Sequence, residues 1–238
     1  MTNSPFDVFA FIPARSGSKS IPLKNLQKIG DVSLVRRAIS LALTSLPASH
    51  IVLSSDSDLI LNESQGHSIN LHKRPDSVSS DTTTTCDTLI EFLHSNPHFT
   101  RFKWIVLIEP TSVFCSKEDL CKCIQLLSST RDSNVYSVAK VHHTFHYANQ
   151  RILEDGLLSF WNNDLRSATS ISQRKTGSYR FGNICSIRLD ALLSGNGFFE
   201  PTSSFFIVPF LRSINIDSLE ELQLARLLFH ANPSLYSI

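Results

Sequence analysis

Much that would narrow the function of this 238-residue chain is missing from it. No apolar run approaches the roughly 20 residues of a membrane span. The N-terminus, MTNSPFDVFA, has no positive stretch leading into a long apolar segment, so no secretory signal is expected. Five cysteines, at 86, 115, 121, 123 and 185, form neither a paired framework nor a CxxC. Cys121 and Cys123 flank a single residue and would face different sides of a helix, so free thiols in a reducing cytosol are expected. Charge of one sign is lacking as well: a net +1 gives no reason to expect nucleic acid or an anionic membrane as partner. There is no GxxxxGK[ST] loop, no visible Ser/His/Asp arrangement, no internal repeat and no low-complexity tail. The remaining composition, 42% apolar and 18% charged, describes a soluble globular protein with one or two domains possible, and without a signal or span it is expected in the cytoplasm.

The chain is organised around FDVFAFIPARSGSKSIPLKN, Phe6 to Asn25. An apolar run, Val8 to Ile12, breaks at Pro13 into a loop of small residues carrying Arg15, Lys19 and Lys24. A buried strand opening into a cationic loop is how an α/β protein meets phosphate. Gly17 allows close approach, Ser16 and Ser18 offer donors, and the three cations offer charge. An ordinary solvated basic loop is the competing reading.

Strand and helix signals then alternate. Helices are expected over Ser33 to Leu46, Thr85 to Leu93, Ser116 to Leu127 and Ser218 to Phe229. Strands are expected at His50 to Ser55, Ile69 to His72, Lys103 to Ile108, Asn134 to Lys140, Ile184 to Ile187, Phe205 to Pro209 and Arg212 to Asp217. This rhythm predicts a three-layer α/β fold, a mainly parallel sheet with helices on both faces. Ligands in such folds gather at the carboxyl ends of strands, where Arg15, Asp56 and Glu109 fall. From Val141 to Arg180 the rhythm fails, and that stretch reads as an excursion, a hairpin or arm. His142 and His143 open it; neighbours on a strand face opposite ways, which favours loop or interface histidines over a metal pair.

RSGSKSIPLKN resembles the R-x-G-S-K-G-I-P-x-K-N signature of the acylneuraminate cytidylyltransferases, the CMP-sialic acid synthetases. Further stretches follow in the family's order: IVLSSDSDLI, RPDSVSSDTTTTCD, LIEPTSVFCSKEDL, GFFEPTSSFFIVP and SINIDSLEELQLA. The resemblance implies a single domain over residues 1–238 with a Rossmann-like fold of the nucleotide-diphospho-sugar transferase kind, and a Mg²⁺-dependent transfer of CMP from CTP to an acidic nine-carbon sugar. It implies that Arg15, Ser18, Lys19 and Lys24 hold the triphosphate and that Asn25 contacts the nucleoside. Thr83 and Thr85 stand where the family reads cytosine, and Arg74 is a second basic contributor, with a surface ion pair to Asp76 as the alternative. Asp217 would be a Mg²⁺ ligand or an N-cap of the last helix. Glu109 stands at the sugar side, and Phe198 and Phe199 match an aromatic pair packing on the N-acyl group, though pattern alone would call them core. The excursion matches a dimerisation arm, implying a homodimer.

The departures cluster on the sugar and metal side. Glu109 replaces a Gln, Cys115 an Arg, Asn215 the first acid of the closing turn, and Ser20 a Gly. Gly182-Asn183 followed by Ser186 stands where an Asn-Gly and a Tyr are usual, and Gln173 beside Arg174 keeps only part of an upstream pair. Three readings fit: an enzyme for a nonulosonic acid, a nucleotide-binding homologue without turnover, or a nucleotidyltransferase for another sugar.

Overall fold

The computed structural model describes residues 7–80, 82–168 and 177–236. In chain order the strands are β1 (Val8–Pro13), β2 (Lys28–Ile29), β3 (Val32–Ser33), β4 (Ile51–Ser55), β5 (Asn70–Lys73), β6 (Trp104–Leu107), β7 (Asn134–Lys140), β8 (Arg151–Glu154), β9 (Leu157–Phe160), β10 (Tyr179–Arg188) and β11 (Ser204–Ile207). The helices are α1 (Leu34–Leu43), α2 (Asp58–Leu61), α3 (Thr85–Ser95), α4 (Lys117–Leu127), α5 (Asn163–Ala168), α6 (Leu189–Leu193) and α7 (Leu219–Ala231). Seven strands form one sheet in the order β11-β7-β10-β6-β1-β4-β5. All its pairings are parallel except those of β10, which runs antiparallel to both neighbours.

The period-two alternation of β1 explains the layers. Val8, Ala10 and Ile12 pack with Val35, Ile39 and Leu120, from α1 and α4, on one face. Phe9 and Phe11 pack on the other with Leu89 and Phe92 of α3 and Leu192 of α6. A third cluster docks α7, through Leu222 and Ala225, under the β1 loop residue Ile21. Helix starts follow local chemistry: Thr84, Ser116 and Ser218 each close a capping box with the acid three residues on. Among the described residues, no helix is long and apolar enough to cross a membrane.

Three expectations are corrected. Arg212 to Asp217 is not a strand; a 3-10 turn over Phe210–Ser213 gives way to an extended segment outside the sheet, whose Ile216 amide donates to the Thr111 carbonyl at 3.1 Å. Its acceptors are taken by side chains instead of a ladder: Asn183 donates to the Arg212 carbonyl and Arg180 to that of Ser213. The strand expected at Ile184 begins five residues earlier, at Tyr179, so Tyr179 and Arg180 belong to the sheet and not to the excursion. Its register shifts between Phe181 and Cys185. There the Ser137 hydroxyl accepts from the Asn183 and Ile184 amides, and a Cβ on Gly182 would lie 2.3 Å from that oxygen. Only glycine fits beneath this bulge. Finally, Asp217 is not the N-cap of α7; Ser218 is.

The excursion contains a separate two-stranded hairpin, β8 with β9. Asp155 and Gly156 form its turn with φ of 51° and 77°, the left-handed pair that a tight hairpin requires. Gln173 and Arg174 lie outside the described residues.

Candidate active site

The site is assembled at the carboxyl ends of β1, β4 and β6. As β1 ends, the Ala14 amide donates to the Ser54 carbonyl at 2.9 Å, carrying the chain one residue beyond the strand alongside β4. The loop is then fastened. Ser16 donates to Asp56 twice, from its amide at 2.8 Å and its hydroxyl at 2.6 Å. The buried Asn25 side chain donates to the Arg15 carbonyl at 2.8 Å. Ser16 is thus spent on Asp56 and not offered to a ligand as a hydroxyl donor. Asp56 is held below the usual carboxylate range. Burial opposes its ionisation, but the Ser16 hydrogen bonds and the Arg74 charge outweigh it. Leu23, with φ of 48°, turns the chain through the left-handed region directly before Lys24.

Two adjoining cavities result. One, of about 350 Å³, is bordered by Ser18, Lys19 and Ser20 together with Arg15, Lys24, Asn25 and Asp217. The other, of about 470 Å³, shares Arg15, Lys24, Asn25 and Asp217 and adds Arg74, Thr83, Thr85 and Glu109. All the residues predicted for nucleotide and metal therefore converge. Thr84 and Thr88 also line the larger cavity. The run of threonines leading into the helix signals Thr84, whereas Thr88, one turn further into α3, has no such signal.

Arg74 is buried, and its guanidinium donates to Ser54 and not to Asp76, so the surface ion pair is excluded. Burial lowers its pKa to about 10, with Asp56 opposing and Arg15 reinforcing. Lys24 Nζ lies 2.9 Å from Asp217 Oδ1. Asn215 donates to the other carboxylate oxygen at 3.3 Å, while its own Oδ1 is buried without a partner. Half-buried Glu109 has its pKa raised, by burial first and by Asp217 next, with Lys24 opposing.

The sugar-side aromatics are not brought to these cavities. Phe198 is in the core, drawn inward as Asn134 donates to the carbonyls of Gly197 and Phe198. Phe199 is exposed and stacks edge-on against Phe181 in a separate groove of about 390 Å³ with Tyr136 and Tyr179. Cys115 is buried, its thiol pKa pushed up, and its carbonyl accepts from Arg37 at 3.1 Å; no cation is presented from that position. Ser186 is equally buried and donates to the Val135 carbonyl. His142 and His143 stack on each other on the exposed excursion, and no cluster of three metal-binding side chains exists among the described residues.

The family model described as "Cytidylyltransferase" matches residues 9–176. N-acylneuraminate cytidylyltransferase of Oncorhynchus mykiss is 30% identical over 136 residues, 57% of this chain and 31% of that protein. The match therefore spans about a third of the length of that relative. Pseudaminic acid cytidylyltransferase of Campylobacter jejuni subsp. jejuni is 23% identical over 93% of this chain and 95% of that protein. Among solved structures, CMP:2-keto-3-deoxy-manno-octonic acid synthetase complexed with CTP superposes with a TM-score of 0.66 at 14% identity, covering 94% of this chain and 98% of that one. At that identity the likeness concerns the fold.

Proposed function

From the premise that the chain belongs to the cytidylyltransferase family, we propose that it transfers CMP from CTP to the anomeric hydroxyl of a nonulosonic acid and releases pyrophosphate. The carrying observation is the convergence of Arg15 and Lys24, on the loop that Ser16 fastens to Asp56, with Arg74 and Asp217 from other segments at the strand ends. In the reaction the sugar oxygen forms a bond to the α-phosphorus and gives up its hydroxyl proton to solvent, the bond from that phosphorus to the bridging oxygen breaks, and pyrophosphate leaves with the electron pair. Such a step needs no covalent enzyme nucleophile. Positioning and stabilisation of the developing charge suffice, and Arg15, Lys19 and Lys24 are the cations assigned to both. Ser18, Asn25, Thr83 and Thr85 are assigned to the nucleotide, and Glu109 to the sugar.

A Mg²⁺ ion fits the residues present: the Asp217 carboxylate and the unpartnered Asn215 Oδ1 are hard oxygen donors, and Mg²⁺ rarely takes a full protein cage. When bound there with the substrate phosphates it would supply charge neutralisation to the leaving group. The exposed apolar residues of the hairpin, Leu153, Leu157, Leu158 and Trp161, support a homodimer formed through the excursion. The five free thiols fit a cytoplasmic setting.

The test is pyrophosphate release from CTP and Mg²⁺ across a panel of nonulosonic acids. Release with one or more of them is expected. Tight CTP binding with no release across the panel would overturn transfer to a nonulosonic acid and leave a nucleotide-binding homologue, the reading favoured by Cys115 and Asn215, or an enzyme for another sugar.

A further inference from the structure

Behind the cavity wall four polar side chains stand in a line. Arg74 Nε donates to Ser54 Oγ at 2.9 Å, and its Nη2 donates to the Ser54 carbonyl at 3.1 Å. Ser54 Oγ lies 2.9 Å from His72 Nδ1. His72 Nε2 lies 2.7 Å from Glu91 Oε2, an ion-pair distance at an angle outside hydrogen-bond geometry, and neither atom has a hydrogen-bond partner. Ser54 and His72 face each other across the β4–β5 ladder. Glu91 comes from the second turn of α3, the helix whose first residue, Thr85, lines the cavity. Ser54, His72 and Arg74 are all buried.

Counting protons gives the line a direction. A guanidinium only donates, so Ser54 Oγ accepts from Nε and keeps its own proton for His72 Nδ1. Nδ1 is then the acceptor nitrogen, and Nε2 carries the proton towards Glu91. The opposite tautomer would set a nitrogen lone pair against a carboxylate oxygen and leave the Ser54 proton without an acceptor. Burial lowers the His72 pKa, with the Glu91 charge opposing and Arg74 reinforcing, in keeping with a neutral ring.

We propose that Glu91, His72 and Ser54 are positioning residues that hold the Arg74 guanidinium in the cavity wall for a nucleotide phosphate, an inference that rests on the CTP reading above. An unrestrained arginine loses substantial rotamer freedom when it binds. Here Nε and Nη2 are engaged in advance, and among the described residues Nη1 has no partner, which leaves that edge of the fork for phosphate. Plain core packing is the competing role, since the His72 ring also sits 5.2 Å from that of Phe92.

The test measures CTP affinity by calorimetry on the full chain, with folding checked by thermal melting. His72→Phe keeps a ring against Phe92 but loses both nitrogens, and is expected to weaken CTP binding about tenfold. Glu91→Leu should behave alike, whereas Glu91→Gln, which keeps an acceptor for Nε2–H, should return to within about twofold of wild type. Added to Arg74→Ala, His72→Phe should cost less than about twofold more, because the two act through one group. A second readout needs no CTP: the ¹⁵N resonance of Arg74 Nε, assigned by its loss in Arg74→Lys, should exchange its proton slowly in wild type and fast in folded His72→Phe. Unchanged exchange in that variant, or a His72 cost that adds in full to Arg74→Ala, overturns the proposal. If wild type fails to bind CTP, the nucleotide reading falls, and the exchange measurement still decides whether Glu91, His72 and Ser54 hold Arg74.

Discussion

At the β1–β4–β5 side of the sheet, the cation-bearing loop is tied from several directions. Asp56 takes two hydrogen bonds from Ser16, Asn25 grips the Arg15 carbonyl, and Arg74 is anchored on Ser54. At the β7–β10–β11 side, the bulge over Ser137 and the Asp119–Arg212–Asn183 contacts fix the backbone, yet the surface they support is open and apolar. Phe199, Phe205 and Tyr179 are exposed there, as is the hairpin beyond. One half is preorganised by polar contacts to residues close in sequence to strand ends. The other ends in apolar surface, which by itself names no ligand. On the proposed reading the first half, with Glu109 at its edge, would take the triphosphate, and the second would meet a second subunit.

That contrast can be broken experimentally, most severely at Lys24. Lys24→Ala should lower kcat/KM for pyrophosphate release about 10²- to 10³-fold, the loss expected for one preorganised electrostatic group. Steady-state kinetics at saturating sugar will read it, and a loss below tenfold would place the triphosphate elsewhere.

Asp56→Asn comes next. Weakening charge-assisted hydrogen bonds at a partly buried site should cost about 1–3 kcal/mol in chemical denaturation. The sign of its pH dependence is set by a folded pKa below the usual value. The stabilisation is fully present above the ordinary carboxylate pKa and is lost as pH falls through the folded one. Acid titration of stability in wild type and variant should therefore converge at that low end, and parallel curves would refute the fastening role.

Glu109→Gln probes the boundary between the halves. Glu109 shares its cavity with Arg15, Lys24 and Arg74, so removing one negative charge should raise CTP affinity, and KM for an acidic sugar should fall by a larger factor. A shift in CTP affinity with no change for the sugar would assign Glu109 to the nucleotide half.

The smallest effect on the fold is expected in the hairpin. Leu157, 74% exposed, should tolerate Leu157→Ser to within about 0.5 kcal/mol of monomer stability, while sedimentation shows loss of the dimer. An unaltered association state would remove the hairpin from the interface.

The order of these elements was largely legible in the chain. β1, β6, β7 and the capped starts of α3, α4 and α7 are written in short-range terms: apolar runs, and a Ser or Thr with an acid three residues on. Arg15, Lys19, Lys24 and Asn25 were legible because a loop of contiguous residues carries its charges together wherever it goes. The Asp155-Gly156 turn was legible too, though only the excursion around it was anticipated. Long-range geometry decided the rest. Nothing in the local pattern at Arg212 foretells that side chains from Asn183 and Arg180 will occupy backbone acceptors and deny it a ladder. Pattern alone put Phe198 in the core, where it lies; what it did not reveal is that the Phe198 carbonyl accepts from Asn134, 64 positions away. The joining of Ser54, His72, Arg74 and Glu91 required two parallel strands in register and a helix laid across them. Local chemistry along the chain determined what could bind phosphate; which side chains hold it ready depends on hydrogen bonds that exist only once distant strands are paired.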